Sequence, residues 1–185
     1  AQESRGLGDV YKRQIVGSAM ATEYRFVWAN EEATQAWAQI LAQQPGLANA
    51  TLELHGDLGA GKTTFVRHLL RALGVQGRIK SPTYALVEPH QAPPSPLWPQ
   101  GLPISHFDLY RFNDARELEE AGLRELLTEA GLKIVEWPDK AGPHRPTADL
   151  HVMLTPQTDD SRKVVARPIT ALGHQLLAPW LQQAQ

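Results

Sequence analysis

The sequence predicts an α/β domain with a mixed central sheet flanked by helices. Three observations predict it. Short apolar runs of strand length alternate with longer stretches whose apolar residues recur at helical spacing. A strand, a glycine-rich loop and a helix follow one another around residues 51–73, a common opening for an α/β sheet. And 185 residues, 42% hydrophobic and 21% charged, suit one domain with one core. No internal repeat and no second domain is visible.

The elements follow in order. Residues 1–19 carry neither helical nor strand periodicity. They are set aside as a non-native or disordered leader, with Met20 as the expected start and residues 20–185 as the domain. Tyr24 to Trp28 alternates as a strand. Asn30 offers a helix cap, and Glu31 and Glu32 suit the first turn of a helix that runs to Gln44 before Pro45-Gly46. Thr51 to His55 is a strand. Lys62 to Leu73 places apolar residues at 65, 66, 69, 70 and 73, one helical stripe, with Gly74 beyond its end. Ala85 to Glu88 reads as a strand, the proline-rich stretch 89–103 as a loop, and Ile104 to Tyr110 as a strand paired with the first of these. Asp114 caps a helix over Ala115 to Glu120, Gly122 breaks it, and Arg124 to Glu129 adds a turn. Leu132 to Val135 is an apolar strand ending in Glu136. Leu150 to Leu154 and Val164 to Ile169 form a terminal pair. A last helix covers Ala171 to Gln183, interrupted at Pro179.

Composition removes several classes of function. Formal net charge is −2, so no global basic field draws in nucleic acid. There are no cysteines, which excludes a disulfide scaffold, cysteine-ligated zinc and a thiol nucleophile. No apolar run approaches the ~20 residues that span a bilayer. The expected compartment is the cytoplasm, without a membrane partner.

Chemistry is concentrated in Gly56-Asp57-Leu58-Gly59-Ala60-Gly61-Lys62-Thr63, the full P-loop pattern, followed by Thr64. It makes the domain a predicted P-loop NTPase that binds ATP with Mg²⁺. The glycines let backbone N–H groups approach phosphate oxygens. The following helix adds the positive end of its dipole. Lys62 can reach the β- and γ-phosphates, and the Thr63 hydroxyl can ligate Mg²⁺.

Such a site needs an acid at a strand end, and there are two candidates. Glu136 closes Leu132 to Val135; the alternative is a surface carboxylate. Asp108 lies between Phe107 and Leu109; the alternatives are an ion pair with Arg111 or a turn aspartate. A buried carboxylate in either place needs a cation or a hydrogen-bond partner. Thr83, in Ser81-Pro82-Thr83, stands where P-loop proteins often sense the γ-phosphate, though Ser-Pro-Thr also reads as an ordinary turn. Trp137 either packs in the core or walls the nucleotide site. Trp28, Trp37, Trp98 and Trp180 read as core or loop anchors. The seven histidines show no zinc spacing. His106 alone falls in a candidate segment and is read as structural.

Several motifs coincide in order: the P-loop, Ser81-Pro82-Thr83-Tyr84, His106-Phe107-Asp108-Leu109-Tyr110-Arg111, Glu117-Leu118-Glu119-Glu120-Ala121-Gly122-Leu123 and Val135-Glu136-Trp137-Pro138. With them the chain resembles the TsaE (YjeE) family over roughly residues 24–172. The resemblance implies a small ATPase, weak alone, that works with TsaB and TsaD in threonylcarbamoyl modification of adenosine 37 in tRNA. Contact with tRNA would be indirect, through that complex.

Carried over by position, Lys62 holds phosphate, and Thr63 and Glu136 serve Mg²⁺. Asp108 is a further catalytic acid, Thr83 a sensor, and Trp137 a neighbour of the nucleotide. Thr34 lies towards the adenosine, and Asp57, Leu58, Gly59, Ala60, Gly61 and Thr64 complete the nucleotide contacts. The chain departs from the family at Trp37-Ala38, where Leu-Gly is usual, and at His68, where glycine is usual. Its proline-rich stretch is also longer. Two other readings stay open: a nucleotide-gated binding module with incidental hydrolysis, and a small-molecule P-loop kinase. The 89–103 stretch has no Arg or Lys, which argues against it as a kinase lid.

Overall fold

The structure is a computed structural model, and it describes residues 14–15, 22–80, 82, 85–145 and 147–182. Eight strands form one sheet: β1 (Gln14–Ile15), β2 (Thr22–Trp28), β3 (Thr51–His55), β4 (Val87–Ala92), β5 (Leu102–Asp108), β6 (Leu132–Glu136), β7 (Leu150–Pro156) and β8 (Arg162–Pro168). Their spatial order is β1-β2-β8-β7-β3-β6-β5-β4. The central strands β7, β3, β6 and β5 run parallel, and the flanking pairs are antiparallel. The sheet is therefore mixed. Most of the leader lies outside the described residues; Gln14 and Ile15 pair with Glu23 and Thr22.

Among the described residues the α-helices are α1 (Glu31–Leu41), α2 (Lys62–Ala72), α3 (Ala115–Glu120), α4 (Leu123–Leu127) and α5 (Ala171–Leu181). Alternation along the strands divides the core between two faces. Leu52, Leu54, Ile134, Leu150 and Val152 pack with Leu41, Phe65, Leu69 and Leu177 from α1, α2 and α5. Phe107 and Val135 point the other way, onto Leu118, Leu123 and Leu127 of α3 and α4. None of the helices among the described residues is long and apolar enough to cross a membrane.

Local signals set most of the helix ends. The Asn30 side chain accepts from Ala33 N at 2.9 Å, and Asp114 accepts from Arg116 N at 2.9 Å. After α2, Gly74 takes φ +92° while Val75 N donates to Leu70 O and Gly74 N to Arg71 O. That is the paired-bond closure that left-handed glycine permits. The tryptophans lie where the sequence places them. Trp37 stacks on Trp180 at 4.2 Å and meets Trp28, Phe26 and Phe65 within 5.7 Å. His68 contacts Glu31 at 2.9 Å and ties α2 to α1.

Several boundaries differ from expectation by a few residues, and four of them have a visible cause. Helix α1 stops at Leu41, because Gln44 precedes Pro45 and is held extended, and a 3₁₀ turn follows over Pro45–Asn49. Strand β4 covers Val87–Ala92 and so enters the stretch expected to be a loop. Pro89 is tolerated because β4 is the sheet's outer strand and need not donate on its free side. Strand β5 spans Leu102–Asp108, and its end is set by Asp108, whose Oδ1 accepts from Tyr110 N at 3.0 Å. Helix α5 continues through Pro179. The ring removes one bond to the carbonyl of Gln175, an exposed residue whose carbonyl water can satisfy.

Candidate active site

The parallel strands bring the predicted acids to one edge. In register, Leu54 lies opposite Glu136, and Asp108 opposite Glu136, so β3, β6 and β5 finish together. The loop after β3 is the P-loop, and α2 starts at Lys62. Ligands of open α/β sheets bind at this carboxyl edge. The loop geometry demands glycine twice over. Gly56 has φ +147°, and a Cβ there would meet Leu154 O at 2.7 Å. Gly59 has φ +80° and open space beyond it, which leaves backbone accessible to a ligand.

A cavity of about 460 Å³ opens above this edge. Leu58, Gly59, Ala60, Gly61, Lys62, Thr63 and Thr64 line one side. Asp108, Glu136, Trp137, Tyr110, Arg111, Pro82 and Arg162 line the other. The volume falls within the range of small-molecule sites. A smaller hollow adjoins it, lined by Asn30, Glu31, Thr34, Asp160 and Leu154 and sharing Gly61, Thr64 and Arg162. Thr34, expected on the adenosine side, therefore lines the adjoining hollow and not the larger cavity. Asp57 contributes through its backbone carbonyl, which accepts from Lys62 Nζ at 2.9 Å. Thr83, with Ser81 and Tyr84, lies outside the described residues.

Lys62 also donates to Gly56 O, and its ammonium stands 4.3 Å from the centroid of the Trp137 ring. Only 5% of the residue is exposed. Burial pushes its ammonium below the usual lysine range, against the pull of Glu136, Asp108 and Asp57. Trp137 follows Glu136 directly and holds φ +56°, a left-handed conformation that bulky residues rarely adopt. That turn aims its ring across the cavity, where Tyr110 meets it at 4.9 Å. Trp137 thus does both: it lines the cavity and packs against the second apolar cluster.

The two acids differ in surroundings. Glu136 is 2% exposed. Thr63 Oγ1 donates to it at 3.0 Å, and His106 Nε2 lies 2.6 Å from its other oxygen. It is no surface carboxylate. A hydroxyl and a carboxylate this close, beside a phosphate loop and a second acid, form an oxygen donor set that suits Mg²⁺. Asp108 is half-buried at the rim, held through Oδ1 by Tyr110 N.

Sequence reasoning missed Arg162, Tyr110, Arg111 and the role of His106. Arg162 had no motif to announce it. It starts β8 and reaches across the sheet to donate from Nε to Ala60 O at 3.0 Å. The other three sit inside the six-residue block that also carries Asp108, so their signal was proximity in sequence.

A second cluster lies on the opposite face. Glu53, His55 and His151 bring three potential ligand atoms within 4.8 Å. Arg145 closes this cluster, with Nε on Glu53 Oε1 at 2.9 Å and Nη2 on Oε2. A divalent ion there would face a guanidinium, so the cluster is an ion-pair hub. Through Arg145, which also binds Asp139, it anchors the 3₁₀ segment Pro138–His144 that follows Trp137.

The family model for threonylcarbamoyl adenosine biosynthesis protein TsaE matches residues 28–164. The tRNA threonylcarbamoyladenosine biosynthesis protein TsaE of Haemophilus influenzae is 40% identical over 125 residues, covering 68% of this chain and 74% of that protein. The protein of the same name from Bacillus subtilis is 34% identical over 148 residues, covering 78% and 84%. The crystal structure of YdiB from Bacillus subtilis superposes with a TM-score of 0.69 at 24% identity, over 91% of this chain and all of that one, which supports the fold. With the family model spanning most of the chain and these relatives in agreement, the chain belongs to the TsaE family, whose members are named for tRNA threonylcarbamoyladenosine biosynthesis.

Proposed function

We propose that this chain is a Mg²⁺-dependent ATPase subunit that supports threonylcarbamoyl modification of adenosine 37 in tRNA. It acts in the cytoplasm with TsaB and TsaD and meets tRNA indirectly, through them. The observation that carries the chemical half of the reading is the Thr63–Glu136 contact of 3.0 Å beneath Lys62 and beside Asp108. Membership of the family carries the biological half.

The residues divide the work. The backbone from Gly59 to Thr63 and the start of α2 cradle the phosphates. Lys62 leaves its two carbonyl partners for the β- and γ-phosphates, and so compensates charge where it grows during transfer. Thr63 and Glu136 would hold Mg²⁺, which supplies electrostatic stabilisation of the phosphoryl oxygens. Asp108 orients or accepts a proton from the attacking water. Trp137 and Tyr110 exclude bulk water from one side, and Thr34 with Arg162 borders the nucleoside.

The test is a reconstituted modification assay with TsaB, TsaD and tRNA, followed through several turnovers. Asp108→Asn and Glu136→Gln are expected to stop both phosphate release and repeated modification. Should either variant keep ATP-dependent docking and also support many rounds, the chain is a nucleotide-gated binding module instead. Appearance of a phosphorylated metabolite in place of free phosphate would make it a kinase.

A further inference from the structure

We propose that His106 is a positioning residue for Glu136: it pins one carboxylate oxygen so that the other, with Thr63, faces the metal. This rests on the reading of the cavity as a Mg²⁺–nucleotide site. His106 is on β5, opposite Ile134 in register, one pleat before Glu136 on the same face of the sheet. Its side chain is fully buried, and Nε2 lies 2.6 Å from Glu136 Oε2. The Thr63 hydroxyl sits 3.0 Å from Oε1 and 3.3 Å from Oε2. One imidazole bond therefore sets the carboxylate plane, and the carboxylate in turn sets the Thr63 hydroxyl.

The rest of the ring speaks against a purely structural role. Nδ1 is buried and makes no hydrogen bond among the described residues. Ile104 and Ile134 flank it on the same face, at 2% and 0% exposure, while Glu88 of the outer strand is its cross-strand partner and His90 lies near it. A buried polar atom without a partner is unfavourable, so packing alone would place an aliphatic residue here. What the imidazole adds is the bond to Glu136. Metal-site carboxylates are commonly held in this way by a neighbouring group, and losing the holder weakens metal affinity by about 10–100-fold.

The experiment compares His106→Leu, which removes the donor, with His106→Gln, whose amide reaches the position of Nε2. Mn²⁺ is titrated into each protein at saturating ADP and followed by electron paramagnetic resonance. Metal-free ADP affinity and thermal unfolding are measured alongside. His106→Leu is expected to weaken Mn²⁺ binding by about 10–100-fold, with metal-free ADP affinity within about threefold of wild type. His106→Gln is expected to recover most of the Mn²⁺ affinity. If His106→Leu does not fold, His106→Asn takes its place, since its shorter amide stops short of Glu136. Wild-type Mn²⁺ affinity in the donorless variant overturns the proposal. So does an equal loss in the donorless and Gln variants, which would mark a packing effect. Wild-type protein that binds no Mn²⁺ with ADP overturns the nucleotide-site reading itself, a result separable from either of these.

Discussion

Replacing Lys62 by Met tests the phosphate site most directly. The two side chains have similar length, and Met keeps an apolar stem while removing the ammonium. In the structure that ammonium donates to Gly56 O and Asp57 O and lies over Trp137. On the proposed reading, nucleotide binding exchanges those contacts for phosphate oxygens. A hydrogen bond to a charged group contributes roughly 1.5–3 kcal/mol, and two of them reach the nucleotide. The surrendered carbonyl bonds and the ring contact, about 0.5–2 kcal/mol for the latter, offset part of that gain. The phosphate bonds join two charged groups and are the stronger, so the exchange stays favourable, and the net loss on substitution is about 2 kcal/mol, or roughly 30-fold in ATP affinity. Calorimetric titration with Mg²⁺–ATP measures it, with thermal unfolding as the control for a retained fold. Affinity within about threefold of wild type would mean that the phosphates bind elsewhere, and the site assignment would fall.

Three further substitutions probe the supports of the site. Arg162→Ala removes the donor on Ala60 O, a bond present without nucleotide; its loss should lower stability by about 1.5 kcal/mol in chemical denaturation, and wild-type stability would show that the bond does not hold the P-loop. In Glu53, burial raises the carboxyl, but the close imidazoles of His151 and His55 and the hydrogen bonds from Arg145 outweigh it and hold the group well below its ordinary value of 4.5. A depressed carboxyl stabilises the fold above its unfolded value, so this contribution is present at neutral pH and fades as pH falls below 4.5. Glu53→Gln should lower stability at neutral pH by about 2–3 kcal/mol, less than for a fully buried pair because Arg145 is partly exposed. It should also flatten the acid limb in denaturant titrations at stepped pH; an unchanged limb would show that the hub is not the acid-sensitive element. Gly173→Ala would place a Cβ 1.9 Å from Asp149 O, backbone that cannot step aside without moving α5. A loss of at least about 2 kcal/mol is expected in chemical denaturation, and wild-type stability would mean that α5 sits further from β7 than described.

These sites were not equally legible in sequence. The helix starts at Asn30 and Asp114 and the stop at Gly74 depend on atoms within five residues, so residue type alone places them. Strand β4 shows the limit of that kind of reading. A proline-rich stretch argues for a loop only if the strand must donate on both sides. Whether Pro89 is tolerated depends on β4 being outermost, a property of the strand order and not of residues 87–92. The same holds for Trp137: its type fits core or cavity equally, and the left-handed turn after Glu136 lets it border both.

The functional site divides along this line too. The P-loop is contiguous, so its residues are legible as a set. The acids are legible only as candidates, because Asp108 and Glu136 stand 28 positions apart in the chain and become neighbours through the β5–β6 register. What no local pattern carries is the dependence of one side chain on another. Thr63, Glu136 and His106 come from a helix and two strands and meet within 3.0 Å of one another in sequence of contact. A histidine judged alone, in an apolar strand, reads as structural. Judged by its 2.6 Å contact with the acid that bonds the P-loop threonine, it becomes a candidate for positioning that acid. Residues that act through another residue are therefore the last to be found from sequence, and in this fold they sit one pleat behind the acids they serve.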